Sequence, residues 1–230
     1  NGVHGAVVGS LAAINFALFD KYGNPQVVGG APLKAVQASG PAALDLSLVD
    51  HADGNYTLTY SSTVAGDYAV DVTLAGTAIA GSPLPLTLLS TNKPDVSKTL
   101  VSGPGVAPSG SHVGRNLALY IVARDEFGNV IDPALLAVAA NVTTVAAPLA
   151  PLPLTGPTLL NASIFAFEYF ATLAGEYHVS VTVDGVPPPD SPLLVVLGPS
   201  TPDATTSTIA TSSQQLVHPA GTLVNISLVL

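Results

Sequence analysis

The amino-acid sequence predicts an all-β protein made of tandem β-sandwich domains. Two observations carry this prediction: the chain repeats itself with a period of about one hundred residues, and its apolar residues alternate with polar ones. At 230 residues the chain has room for about two domains of that size. No stretch has the 3.6-residue apolar period of an amphipathic helix, so we expect strands throughout.

The repeat is visible in four pairs of segments that keep nearly the same separation. The pairs are FDKYGN and RDEFGN, AGDY and AGEY, GSPLPLTLL and DSPLLVVLG, and KPDVSKTLV and TPDATTSTI, separated by 105, 109, 109 and 108 residues. We therefore expect one domain over residues 1–90, a second over 91–200 and the first two strands of a third over 201–230. Short linkers that contain proline, Ser90–Pro94 and Gly198–Pro202, join them and should limit swivelling.

Within each domain the apolar residues recur with a period of two, which is typical of half-buried antiparallel strands. The residues expected to face inward are Ile14, Phe16, Leu18, Tyr56, Leu58, Tyr60, Tyr68, Val70, Val72 and Leu74, matched in the second domain by Leu119, Ile121, Ala123, Phe165, Phe167, Tyr169, Tyr177, Val179, Val181 and Val183. Gly-Asn turns that follow Asp20 and Asp125 separate strands. About seven short strands per hundred residues predict immunoglobulin-like sandwiches, here without the Cys and Trp signature of antibody domains.

These turns and strands, taken in order, resemble a filamin-type immunoglobulin repeat. The family pattern runs D-x-x-G-N, G-G, G-P, D-x-G-D-G-x-Y-x-V-x-Y, G-x-Y and G-S-P. The matching positions of the first domain are Asp20, Gly23, Asn24, Gly29, Gly30, Gly40, Pro41, Asp50, Asp53, Gly54, Tyr56, Tyr60, Gly66, Tyr68, Gly81, Ser82 and Pro83. The resemblance covers nearly the whole chain, and it extends to surface proteins of plant and algal gametes that carry such repeats.

Three departures from the family pattern are expected to alter the structure. The first domain begins at its second strand and lacks the first. In the second domain, an Ala/Pro/Leu-rich insertion at Ala146–Pro157 replaces the D-x-G-D-G turn, so we expect longer, irregular central loops. Asp190 stands where the family has glycine.

Composition argues against several classes of function. Charged residues make up only 9% of the chain and the net charge is −9, with six scattered basic residues, so we expect no nucleic-acid partner. No apolar run approaches the ~20 residues of a membrane-spanning helix, so we expect no direct membrane insertion by this segment. The absence of cysteine excludes disulfides and thiolate metal sites. The chain begins at Asn1 without Met or a signal peptide, and we expect it to be a piece of a longer protein.

No catalytic site, cofactor site or metal site is predicted. The five histidines are dispersed, with no H-x-H or H-x-x-x-H pair to hold a metal ion. The segment Asp50–Asn55 (DHADGN) has some likeness to a calcium loop, but its acidic and amide side chains have the wrong spacing, and a polar turn between strands accounts for it. We expect a non-enzymatic protein.

Four Asn-x-Ser/Thr sequons carry information about location: Asn55, Asn141, Asn161 and Asn225. Together with the scarcity of charge and the abundance of Ser and Thr, they favour an extracellular or cell-surface protein. A cytoskeletal or ciliary location is the alternative. The sequence alone leaves both open.

The resemblance implies a binding mechanism as well as a fold. In filamin-type repeats the groove between the third and fourth strands accepts a partner peptide as an added strand. The corresponding residues are Lys34, Val36, Ala38, Leu44, Leu46 and Leu48. The other interpretation is an edge strand whose polar residues merely prevent aggregation. The functional alternatives are therefore a spacer and protein-binding segment in cell-surface adhesion, or part of an intracellular cytoskeletal scaffold, with neighbouring repeats as further contacts.

Overall fold

The computed structural model describes residues 4–146, 151–161, 163–209 and 228–229, and its regular secondary structure is almost entirely β-strand. In the first repeat, two sheets with the strand orders β1-β8-β6-β3 and β2-β5-β4 enclose one core, and β7 is added beside β6. The strands are β1 His4–Val7, β2 Ala12–Ala17, β3 Leu33–Ser39, β4 Asp45–Asp50, β5 Asn55–Ser61, β6 Gly66–Leu74, β7 Thr77–Ala78 and β8 Leu84–Leu89.

The second repeat has the same architecture, with the sheet orders β10-β17-β16-β12-β13 and β14-β15-β11-β9. Short 3-10 turns at Val96–Lys98 and Pro133–Leu135 accompany it, and a last pair of strands lies beyond it. The strands are β9 Leu100–Ser102, β10 Ser111–His112, β11 Asn116–Val122, β12 Val138–Thr144, β13 Pro151–Leu152, β14 Leu154–Leu160, β15 Ile164–Phe170, β16 Gly175–Val183, β17 Leu193–Gly198, β18 Thr208–Ile209 and β19 Leu228–Val229.

The alternating pattern places the cores as the sequence predicts, and the all-β prediction is confirmed. On β6, Tyr68, Val70 and Val72 are buried, while Asp67 and Asp71 on the opposite face are exposed. The equivalent strand β16 buries its own tyrosine and three valines in the same way. Because the two faces of a strand alternate strictly, a period of two is sufficient to assign the inner face.

The sequence analysis missed β1. This strand runs parallel to β8, as β10 runs parallel to β17 in the second repeat. The second repeat also has β9, which pairs with β11 in the opposite sheet, and no described strand occupies that place beside β2. As a result Ile121 on β11 is fully buried, whereas its counterpart Phe16 on β2 remains half-buried.

The insertion does not replace the D-x-G-D-G turn, and that prediction was wrong. The described part of Ala146–Pro157 forms β13 and the start of β14, which pairs with β15. The place of the D-x-G-D-G turn is instead the short connection between Leu160 and Ile164, which pair with each other, and Asn161 has a φ of 54°. Prolines misled the prediction because an edge strand tolerates a residue that cannot donate to the ladder.

Candidate functional site

The first repeat presents two unpaired strand edges at one side of its sandwich. Among the described strands, β3 pairs only with β6, and β4 pairs only with β5. The two strands lie beside each other, one at the edge of each sheet. Their outer backbone groups are therefore available to an added strand.

The six residues that the sequence analysis assigned to this region fall into two sets. Lys34, Val36 and Ala38 point outward from β3 and are exposed, with Val36 48% exposed. Leu44, Leu46 and Leu48, on and just before β4, are half-buried and pack against the core of the first repeat. The structure thus brings the six residues to neighbouring strand edges, but only the first set is freely accessible.

The side chain of Gln37 joins the two edges at one end. Its amide nitrogen donates to the carbonyl oxygen of Ala42 at 2.7 Å, and its amide oxygen accepts from the Leu44 N–H at 2.8 Å. One polar side chain therefore holds the connection between β3 and β4 in place. The interpretation that polar residues of this edge merely prevent aggregation overlooked that role.

In the second repeat the equivalent edge is covered in part, at two residues of β12. The strand β12 pairs with β16 on one side and with β13 on the other, with Val142 opposite Leu152 and Thr143 opposite Pro151. Leu152 also packs against the core. The covering strand belongs to the insertion, so the second repeat supplies its own short added strand along part of the edge that the first repeat leaves open.

A second polar constellation lies between the two repeats, and the sequence analysis did not identify it. The turn after Arg124 is closed by Asp125, whose carboxylate accepts hydrogen bonds from the backbone N–H groups of Phe127 and Asn129 at 3.0 and 2.8 Å. Asp125 is 0% exposed and also accepts from the N–H of Thr91 in the linker at 3.0 Å. The acidic side chain therefore ties the linker to the turn.

Asn129 connects this turn to the first repeat. Its amide nitrogen donates to the Thr63 carbonyl at 2.9 Å, and its amide oxygen accepts from the Ala65 N–H at 2.8 Å. Beside it, the ring of Phe127 lies on Gly9, where an added Cβ would stand only 2.6 Å from the ring. We call these contacts the inter-repeat joint. The D-x-x-G-N motif was its signal in the sequence, although the motif alone does not reveal the partner loop.

The pKa of Asp125 reflects this environment. Burial raises the pKa of the carboxyl group, but the hydrogen bonds from Thr91, Asn129 and Phe127 outweigh burial, so the pKa lies below its ordinary value. The ionised form is therefore the one that the joint stabilises.

The acidic oxygens of the turn over Asp50–Asn55 accept hydrogen bonds from backbone N–H groups of the first repeat. The Asp50 carboxylate accepts from the N–H groups of Gly30 and Ala52 at 2.6 and 2.8 Å, and Asp53 accepts from the Asn55 N–H at 3.0 Å. The hydrogen bond from Gly30 is the main cause that lowers the pKa of Asp50. Across the residues with described positions, no three His, Asp or Glu side chains are grouped so that they could hold a metal ion.

Three of the four sequons lie within the described residues, and their asparagines are exposed. Asn55 begins β5, Asn141 lies on the outer face of β12, and Asn161 occupies the turn after β14. Asn225 lies outside the described residues. No helix in the described part of the chain is long and apolar enough to cross a membrane.

Comparison with known proteins finds a family match over most of the chain. A model of the filamin/ABP280 repeat matches twice in tandem, over residues 1–85 and 93–194. Filamin-A of Drosophila melanogaster is 30% identical over 144 residues, which are 63% of this chain and 6% of filamin-A. Tripartite motif-containing protein 3 of Rattus norvegicus is 35% identical over 118 residues, 49% of this chain and 16% of that protein. The chain thus spans a small part of the length of these relatives.

Solved structures with a similar fold include bacterial surface proteins. FdeC, described as an Escherichia coli adhesin, matches with a TM-score of 0.67 and 22% identity over 89% of this chain and 64% of its own. Invasin, described as a bacterial integrin-binding protein, matches with a TM-score of 0.61 and 18% identity over 89% of this chain and 39% of its own. At these identities the likeness is one of fold.

Proposed function

We propose that this chain, which belongs to the filamin/ABP280 repeat family, is a non-catalytic spacer and protein-binding segment of a larger protein that acts in adhesion at the cell surface. The observation that carries the binding part is the open edge of β3 in the first repeat, beside the open edge of β4. The inter-repeat joint supports the spacer part because it holds two modules in one orientation.

Binding would occur by strand addition. A partner segment in extended conformation would pair its backbone with the free edge of β3, and its side chains would alternate between the outer surface near Val36 and the space towards β4. Main-chain hydrogen bonds would supply most of the affinity. The second repeat would not take part, because β13 already pairs with β12 there.

A selection from a random peptide library displayed on phage, with the whole chain as bait, tests this mechanism. Val36→Glu should lower the affinity of the recovered peptides about tenfold or more, because binding would then desolvate a charge beside the added strand. The thermal midpoint of the variant should change little, since surface substitutions usually change the free energy of unfolding by no more than about 0.5 kcal/mol. Asn141 occupies the position on β12 that Val36 has on β3, so Asn141→Glu is the matched control and should leave binding intact.

Two results would reject strand addition at β3. The first is recovered peptides that bind the Val36→Glu and Asn141→Glu variants equally well. The second is a loss of binding that only accompanies a loss of folding in the Val36→Glu variant.

Adhesion at the cell surface is supported by the exposed sequons and by the low content of charged residues. The fold is shared with proteins described as adhesins. The test is the intact mass of the protein from its native source, before and after treatment with a glycosidase specific for asparagine. A loss of mass assigned to Asn55, Asn141, Asn161 or Asn225 is the expected result, because glycosylation at these residues requires the secretory pathway.

A cytoskeletal scaffold is the second candidate, and the sequence likeness to filamin-A of Drosophila melanogaster favours it. It would use the same open edge to gather intracellular partners. An unmodified native mass, with the asparagines accessible to modification in the purified protein, would favour this candidate over adhesion.

A further inference from the structure

The outer face of one sheet of the second repeat carries a row of apolar side chains. Leu100 on β9 lies opposite Val122 on β11, and Leu160 on β14 lies opposite Ile164 on β15. The antiparallel register of β11 and β15 places Val122 next to Ile164, so the row crosses all four strands. We call these four residues the outer row.

The outer row is accessible to solvent although each of its members is apolar. Leu100 and Leu160 are 51% and 42% exposed, and Val122 and Ile164 are half-buried. Tyr120 lies beside the row on the same face and is also half-buried. A group of neighbouring apolar side chains that stays accessible on a folded domain commonly marks a contact surface.

The same face of the first repeat is polar. Asn15 stands where the second repeat has Tyr120. The Thr57 hydroxyl donates to the amide oxygen of Asn15 at 2.8 Å and lies 2.8 Å from Nε2 of His51. Polar side chains of that face therefore bind one another, and the apolar outer face is a feature of the second repeat.

A sequon lies at the end of the outer row. Asn161 directly follows Leu160 in the connection to Ile164, it is exposed, and its φ of 54° is one that asparagine tolerates better than most residues. Ser163 supplies the hydroxyl of the sequon and donates from it to the Asn161 carbonyl at 3.2 Å. An oligosaccharide attached to Asn161 would therefore begin beside the row.

We propose that a glycan on Asn161 covers the outer row of its own chain. This inference rests on the proposed function, because N-glycosylation requires the secretory pathway. With strands about 4.8 Å apart, the row is about 14 Å long, which is within reach of the branched core that N-linked glycans share. Sugar rings have faces of C–H groups that pack against apolar side chains while their hydroxyl groups stay in water. The covalent bond keeps the sugars at a high effective concentration, so a weak contact is sufficient.

The sequon at Asn55 provides a comparison within the same chain. Asn55 begins β5 as Ile164 begins β15, so the two sequons lie at equivalent ends of the two sheets. The face beside Asn55 carries Thr57 and Asn15, which are already hydrogen-bonded to each other. A glycan on Asn55 should therefore extend into solvent.

The whole chain, secreted by a eukaryotic cell line with ¹³C-labelled methyl groups, tests the proposal. An endoglycosidase that leaves a single N-acetylglucosamine on each asparagine removes the outer sugars. This trimming should shift the methyl signals of Leu100 and Val122, the members of the row farthest from Asn161. Nuclear Overhauser contacts between sugar protons and these methyl groups should disappear with it. The methyl signals of Thr57 and Thr59, beside the other sequon, should stay unchanged.

Removal of the sequon adds a second readout. Ser163→Ala keeps Asn161 but prevents its glycosylation, and it should raise the fluorescence of a dye that binds apolar surface about twofold or more. Asn55→Gln is the matched control and should leave the fluorescence unchanged. Leu160→Ser, added to Ser163→Ala, should lower the fluorescence again, because it makes the outer row less apolar.

Three results would overturn the proposal. These are a secreted chain without a glycan on Asn161, methyl signals of the outer row that do not respond to trimming, and equal dye binding by Ser163→Ala and Asn55→Gln. Self-association of the glycosylated chain through the row would assign that surface to a second copy instead. An unmodified native protein would overturn both this inference and the proposed adhesion at the cell surface, whereas an unresponsive row in a glycosylated native protein would overturn this inference alone.

Discussion

The two repeats share a fold, a core pattern and a turn motif, but they differ in which of their surfaces are covered. The first repeat leaves the edge of β3 open, has no described strand beside β2 at the place of β9, and exposes its Asp20–Asn24 turn. The second repeat covers β12 with β13, covers β11 with β9, and seats the equivalent turn on its neighbour.

The two repeats therefore share one framework of strands but differ in how much of its edges is covered. An open edge is available for binding, and a covered edge contributes to stability. We therefore expect substitutions at equivalent positions to have different consequences in the two repeats.

The largest difference between the repeats should appear in the cost of core substitutions on β11, which β9 covers, and on the equivalent strand β2. Leu119→Ala should destabilise the second repeat by about 2–5 kcal/mol, because Leu119 is fully buried. Ile14→Ala, the equivalent change, should cost about 1 kcal/mol because Ile14 is only half-buried. Urea unfolding followed by amide NMR signals of each repeat separates the two losses. Equal losses would mean that both cores are equally closed.

The joint offers a second matched pair. Gly9 and Gly114 have φ values of 74° and 83°, so Ala at either position has a similar backbone cost of about 1 kcal/mol. Only at Gly9 would the new methyl group also displace Phe127. Gly9→Ala should therefore widen the range of angles between the repeats, as measured by residual dipolar couplings, while Gly114→Ala should leave that range unchanged. The same angular freedom in both variants would contradict the packing of Phe127 on Gly9.

The covering strand of the second repeat can be removed by one substitution. Leu152→Asp should detach β13, because a charged side chain cannot stay packed against the core, at a cost of about 1–2 kcal/mol. The freed edge of β12 should then bind the peptides selected on β3. The number of peptide-binding sites per chain, measured by titration calorimetry, should rise from one to two. Leu160→Asp, an exposed position at the end of β14, is the control and should keep one site.

The smallest expected effect is the pH dependence of the joint. Because the pKa of Asp125 is lowered in the folded chain, its contribution is fully present above the ordinary value of about 3.9 and is lost as the pH falls through the folded value. We expect the angle between repeats to loosen below about pH 4. Asp125→Asn should remove most of this dependence. Asp20→Asn should not, although the pKa of Asp20 is also lowered, mainly by Asn24, because that turn lies outside the joint.

Much of the fold was predictable because its causes are local. The period of two places Tyr68, Val70 and Val72 on one face of β6 without reference to any other strand. The D-x-x-G-N turn is closed by hydrogen bonds between residues two to four positions apart, so its shape follows from its own sequence. The location of the candidate groove was implied by the resemblance to filamin-type repeats and stays a prediction.

The sequence by itself therefore determined the type of strand, the inner faces and the shape of the turns, since each depends on neighbours in the chain. Tertiary structure decided what covers each edge. The pairing of β13 with β12 depends on which strand edge the proline-rich segment reaches in the folded repeat. The bonds from Asn129 to Thr63 and Ala65 join residues 66 and 64 positions apart. The D-x-x-G-N motifs that end at Asn24 and Asn129 form the same turn but have different neighbours, and only the arrangement of whole repeats in space determines those neighbours.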